Sequence, residues 1–421
     1  MKLSQFSILA IFFAVILSAC SDDSGVVTVS FTEGTPIYGD MNAIRQVPLK
    51  GMSREIENPG KIFVAPSFLL VGEEELGIHV LDNTDPANPT PSAFINIPGN
   101  KEFYFANNII YAESYYDMLK IDITNPSNPI LINRSIEALG EEIRNTQGES
   151  LLGFTFKDVT KRITKDEDVY DYIYGGENYY VLYDYAENLI PPSAVPASFA
   201  GNSNGQIGSV NRVVAYQNHV YVISRSKLRV FDDQNDFDLI YSDWFSSNME
   251  TIFPMQNYLF IGGRDQVSIV DITEPSMPQH LSSFWHATSC DPVYPAENNR
   301  AYVTLRTGDF AECPGDVNAL ILLNIDEISS PYEIQEIEMK SPFGLRKIGD
   351  KLYVGEGENG LKIFDASNPD QLRLEKWEMN IPAFDILEHP TQPSIILIAA
   401  PNGLAQYIVG DDFHLISEVA Y

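Results

Sequence analysis

Positive charge is scarce in this chain: 27 Lys and Arg stand against 58 Asp and Glu, a net charge of −31 over 421 residues. An excess of that size argues against binding nucleic acid and against lying on an anionic membrane through protein contacts. Histidine is scarce too. The six His are scattered, and no two stand at a metal-site spacing such as H-E-x-x-H. Asp232, Asp233, Asp236 and Asp238 offer oxygen ligands, but without the Gly-punctuated loop of a dedicated calcium site they read as a solvated turn. There is no Gly-rich phosphate loop and no strand–helix alternation of a hydrolase domain. Gly201-Asn202-Ser203-Asn204-Gly205 fits G-x-S-x-G, but it lies in a Gly/Asn/Ser loop with a strand after it, so it reads as a chance match. No metal, cofactor or catalytic residue is assigned.

Long apolar runs are also missing. The stretch from Phe6 to Leu17, apolar except for Ser7, is too short for a bilayer-spanning helix and has the length of a signal-peptide apolar region. It ends in Leu17-Ser18-Ala19-Cys20, which resembles the lipobox of bacterial lipoproteins, where the cysteine becomes the acylated first residue. The resemblance implies a signal peptide over 1–19 and a mature chain anchored by lipid at Cys20. Ser21-Asp22-Asp23 is similar to the signals that send such proteins to the outer membrane of Gram-negative cells and onto its outer face. Loss of residues 1–19 removes Lys2 alone and leaves a net charge of −32. Residues 20–59 then form a lipidated tether and N-terminal segment. In it Val26–Phe31 alternates like a strand that pairs with the last repeat, and Met41–Arg45 and Ser53–Glu57 read as helical turns.

With Cys20 acylated, Cys290 and Cys313 remain as an even pair in an oxidising compartment, the arithmetic of one disulfide. Closing that loop stabilises the fold by roughly 3 kcal/mol in the chain-entropy picture.

The rest of the chain is organised by a phrase: an alternating apolar strand ending in Asp, then a turn of Ser, Thr, Asn and Pro. Ile78–Pro86, Leu119–Pro126, Leu228–Asp232, Val267–Pro275, Ile321–Asp326 and Leu361–Pro369 carry it, and Gly403–Ile408 is a copy that has lost the Asp. Asp82 to Asp122 is 40 residues, and Asp232 to Asp271 and Asp326 to Asp365 are 39 each. A period near 40 with several short strands per unit is that of four-stranded propeller blades. In one unit the strands fall at Gly344–Ile348, Lys351–Gly355, Leu361–Asp365 and Leu372–Trp377. The Asp ending each third strand is placed to accept backbone N–H groups in an Asx-turn. The phrase is similar to the LVIVD repeat of β-propeller proteins from bacterial and archaeal envelopes. The expectation is an all-β propeller over 60–421, with an insertion at about 137–208. That gives seven blades, or eight if Tyr179–Asp184 is a divergent third strand.

Function is expected on the varied side of the ring, where loops between second and third strands emerge beside the links between blades. Arg225, Tyr115, Tyr116, Arg264, Trp285 and Arg306 lie there, and the last five are the candidate binding residues, being of types enriched at binding hot spots. The reading is a non-enzymatic binding or scaffolding propeller for a protein or glycan. The alternative is a glycoside hydrolase or lyase using two carboxylates in the channel.

Overall fold

The computed structural model describes residues 26–164 and 211–421, other than 225, 247–248, 287–291, 297, 308–316 and 411. Cys20, Cys290, Cys313, Arg225, Tyr179–Asp184 and the N-terminal signal segment lie outside the described residues.

The repeat folds as its period requires. Seven four-stranded antiparallel sheets, each in simple sequence order, form the blades at 59–96, 103–135, 213–244, 249–285, 293–338, 345–378 and 385–420. In blade 6 the strands are Leu345–Ile348, Lys351–Gly355, Leu361–Asp365 and Arg373–Glu378, within a residue or so of the turn signals.

The second and third strands are buried on both faces and read as near-continuous apolar runs, whereas the outer strands alternate and expose one face. Each of the seven gaps between neighbouring blades holds its own apolar cluster. Leu70, Ile78 and Val80 of blade 1, for example, meet Phe103, Ile110 and Leu119 of blade 2. Each such side chain, fully removed from water, contributes roughly 1.5–3 kcal/mol. A further regularity is absent from the repeat phrase. In all seven blades the pairing of third and fourth strands slips by one residue near the third strand's end, as between Val80 and Leu81 or Ile363 and Phe364. A bulge there bends the outer strand and increases its twist.

The ring closes differently from the expectation. Val26–Gly39 does not join the last blade; it pairs over its whole length with Ser150–Thr164 in a separate two-stranded ribbon. Blade 7 is built entirely from 385–420, so closure rests on side chains. Ile62, Leu69 and Val71 of blade 1 pack on Ile395, Leu397 and Leu404 of blade 7. The fully buried Gln406 amide exchanges hydrogen bonds with Asn83 at 2.8 and 3.2 Å and donates to the Pro86 carbonyl at 3.1 Å. Gln406 stands in the degenerate repeat, where it ties the ring shut. Met41–Arg45 is helical, as expected, with Asp40 as N-cap accepting from the Asn42 N–H. Ser53–Glu57 forms no helical turn. Residues 49–51 instead run along the outer strand of blade 1, where Gly51 N–H donates to Phe94 and Asn96 N–H to Leu49.

Candidate functional site

The two faces of the ring are built differently. On the lower face the Asp ending the third strand closes the following turn in five blades, as its position implied. In blade 5 Asn324 does so instead, by accepting from the Asp326 N–H, and blade 7 ends its strand in Val409. Asp82, Asp122, Asp271 and Asp365 accept N–H bonds from Thr84, Thr124, Thr273 and Ser367 at 2.7–3.0 Å. Those bonds hold Asp82, Asp122 and Asp365 below the usual carboxylate range. Asp232 closes its turn on Gln234 and Asn235. Its neighbour Asp233 accepts from the Tyr111 hydroxyl at 2.9 Å and pairs with Lys120 at 2.8 Å, tying blade 3 to blade 2.

On the upper face the recurring carboxylate is buried. Glu73 ends the second strand of blade 1, Glu356 directly follows that of blade 6, and both reach across to the segment that enters the first strand of the same blade. Glu73 accepts from Glu57 and Asn58 N–H at 3.1 and 2.8 Å. Glu356 accepts from Lys340 and Ser341 N–H at 3.0 and 2.7 Å. Each has a second partner: His79 Nε2 lies 2.8 Å from Glu73, and Lys362 pairs with Glu356. In blade 2 that position is Ser114, and the preceding Glu113 accepts from Lys101 and Glu102 N–H. These side chains hold the upper loops in place.

The register of the inner strands shows what surrounds the channel at this end. One residue above the first buried apolar pair of each blade stand Lys61, Glu102, Arg212, Thr251, Pro292, Gly344 and Asp385, in order round the ring. Four successive blades, from the seventh through the closure to the third, therefore place Asp385, Lys61, Glu102 and Arg212 side by side with alternating charge. Asp385 is 1 % exposed, Lys61 3 % and Glu102 8 %. Burial brings Lys61 down to about 8 against the pull of Glu102 and Asp385. Burial also raises Glu102, while Lys61 and the charge and backbone N–H of Arg212 hold it back. Glu113, buried behind it, is pushed up to about 8 by desolvation and then by the Glu102 charge.

Two residues deeper the inner strands carry Phe63, Tyr104, Val214, Phe253, Tyr294, Arg346 and Leu387. Phe63 meets Tyr104 edge-on at 5.1 Å and Phe253 meets Tyr294 at 5.1 Å, with the Arg346 guanidinium 5.5 Å from the Tyr294 ring centroid. The mouth is thus a charged arc above an aromatic belt.

Of the described residues singled out from sequence, Arg306 alone belongs to this mouth. Its guanidinium lies 4.3 Å from the Phe343 ring centroid, and burial lowers its pKa against the opposing pull of Glu250. Tyr115 is half-buried in the left-handed region at φ 55°, its ring against Gly99. A Cβ at Gly99 would stand 2.6 Å from that ring, and its own φ of 76° also favours glycine. Arg264 and Trp285 share the upper corner of blade 4, with Trp285 opposite Gln266 on the outer strand and 66 % exposed. Tyr116 has no surface to offer. It is fully buried and donates to the Leu151 carbonyl at 2.6 Å, fixing the base of the ribbon to blade 2. Beside it, Arg45 makes a two-pronged bond to buried Asp117 at 2.8 Å and reaches Glu142 at 2.6 Å. Lys61, Glu102, Arg212 and Asp385 were missed. Their signal was one charged residue before the apolar pair that opens a blade, as in Lys61-Ile62-Phe63 and Asp385-Ile386-Leu387.

Comparison with known proteins supports the architecture. No curated protein matches the chain. Among solved structures, a protein from Lactobacillus plantarum superposes with a TM-score of 0.51 at 13% identity, over 85% of this chain and 97% of that one. Hsv2 of Kluyveromyces lactis gives 0.48 at 10% identity over 86% and 99%, and the computationally designed Ika8 protein 0.49 at 11% over 88% and 90%. Residues 116–135, 255–284 and 348–376 match the LVIVD repeat, so the chain is a seven-bladed β-propeller carrying LVIVD repeats.

Proposed function

We propose that the chain is a lipoprotein of the Gram-negative outer membrane, anchored through Cys20 and exposed on the cell surface. There it acts as a non-enzymatic binding or scaffolding propeller for a protein or glycan. The observation that carries the binding role is the contrast between the faces. Lower-face carboxylates close their own turns, whereas the upper face gathers Asp385, Lys61, Glu102 and Arg212 round the channel above an aromatic belt. The anchor rests on Leu17-Ser18-Ala19-Cys20, and the Cys290–Cys313 disulfide belongs to the same reading. A hydrolase or lyase would need two available carboxylates. Of the described carboxylates with raised pKa, Glu74, Glu102 and Glu113, Glu113 is engaged by two backbone N–H groups and Glu74 accepts from the Asn58 amide, which favours binding over catalysis.

The anchor is tested by labelling with a palmitate analogue, which is expected to mark the wild type and not Cys20→Ala. The binding role is tested by crosslinking and capture from intact cells. Arg212→Gln with Arg306→Gln is expected to reduce capture of the partner, and Thr124→Ala with Thr273→Ala is not. The opposite pattern would place the binding surface on the lower face.

A further inference from the structure

Among the described charged groups of the arc, two atoms are left without a partner in the protein. Glu102 Oε2 and Arg212 Nε are both buried, and neither makes a hydrogen bond. Glu102 is 8 % exposed, and the register sets it level with Arg212 on the inner strand of the neighbouring blade. A buried acceptor and a buried donor left open are each costly, because nothing replaces the water they gave up. Adjacent, they call for one group that donates to the carboxylate and accepts from the guanidinium on the same atom. A hydroxyl does this; an ammonium or an ionised carboxylate does only half.

The surrounding charges narrow the ligand further. Asp385 and Glu102 balance Lys61 and Arg212 round the arc, and Glu250 opposes Arg306 beside it. The mouth therefore selects neither an anion nor a cation, although the chain as a whole is strongly acidic. Beneath the arc, Phe63 and Tyr104 supply flat apolar surface of the kind that meets the C–H face of a ring, and Phe253 and Tyr294 continue it round the channel on blades 4 and 5. Resting on the proposal that this face binds a ligand, we infer that the channel mouth takes a neutral polyhydroxylated ring, a sugar residue, with one hydroxyl bridging Glu102 and Arg212.

The test is calorimetric titration of the full chain with glucose, galactose, mannose, N-acetylglucosamine and their neutral β- and α-linked oligosaccharides. At least one is expected to bind, and Glu102→Gln and Arg212→Lys are each expected to weaken it by about tenfold. The first substitution removes the charge from the acceptor; the second keeps the cation and removes Nε–H. Hydrogen exchange on the wild type locates the site without any variant, and the bound sugar is expected to slow exchange at 101–104 and 211–214. The inference fails if no sugar binds, if both variants bind as the wild type does, or if protection falls elsewhere. A protein captured from cells through the upper face, with no sugar bound, would leave the binding propeller standing and overturn the sugar.

Discussion

The lower turns and the upper mouth of this propeller both use carboxylates at strand ends, and they use them in opposite ways. Below, Asp82 is exposed and Asp122 and Asp365 are half-buried; all three accept N–H bonds from two residues on and titrate low. Above, Glu73, Glu113 and Glu356 are buried, reach 11 to 16 residues back along the chain, and need a partner or a proton to stay there. The first kind is local punctuation that a repeat can copy without regard to its neighbours. The second joins segments distant in sequence, so it differs from blade to blade and frees the loops above it to differ as well.

The largest effect that sharpens this contrast is expected from Glu356→Ala. It strips the partner from Lys362, whose side chain is only 9% exposed, and leaves the Lys340 and Ser341 N–H groups unsatisfied. Removing one partner of a buried pair costs about 3–5 kcal/mol, to be read by urea unfolding. A loss under about 1 kcal/mol would show that the upper carboxylates are no more structural than the lower ones.

The lower Asp residues and the upper Glu113 are also expected to respond to pH with opposite sign. Asp82, Asp122 and Asp365 have depressed pKa values, so their contribution is present above the unfolded value and is lost as the pH falls through the folded one. Glu113 is raised to about 8, so between its ordinary value near 4.5 and pH 8 the folded state holds more protons, and stability falls as pH rises. Lys61, lowered to about 8, acts the other way from pH 8 toward 10.5, where the unfolded chain holds the extra proton and stability rises with pH. Unfolding curves of Glu113→Gln between pH 5 and 8 are expected to be flatter than those of the wild type. An unchanged slope would mean Glu113 is ionised throughout.

How much of this could be read beforehand follows the same division. The Asp turns, the strand order of blade 6 and the count of seven blades follow from short-range pattern: an apolar alternation, an Asp, a Pro, a period. The mouth was illegible because first strands are only four to seven residues long and their charged residue is unremarkable in each blade. Its meaning appears only when register stacks Lys61, Glu102, Arg212 and Asp385 at one level. Tyr116 was misjudged for a related reason. The sequence places it in an upper turn, but Leu151, 35 residues on, covers it. Closure was misjudged because Gln406 looked like decay of the repeat.

That last point sets a smaller effect. Gln406→Ala leaves the Asn83 amide short of both its partners at the seam, while the Pro86 carbonyl keeps the Ser417 hydroxyl, and is expected to cost about 1–3 kcal/mol. An unchanged unfolding midpoint would assign closure to the apolar contacts of blades 1 and 7 alone. Smaller still is the pair Tyr116→Phe and Trp285→Ala. Losing the Tyr116 bond to Leu151 is expected to cost about 1 kcal/mol, whereas exposed Trp285 is expected to change stability by less than about 0.5 kcal/mol. Equal losses would blur the line between the buried and the exposed upper residue.

The most direct measurement is photo-crosslinking on intact cells, with a diazirine amino acid placed at Arg306 beside the mouth or at Ser127 in a lower turn. Crosslinks to the bound partner or polymer are expected from position 306 and not from 127. Crosslinks from 127 alone would contradict the assignment of function to the upper face.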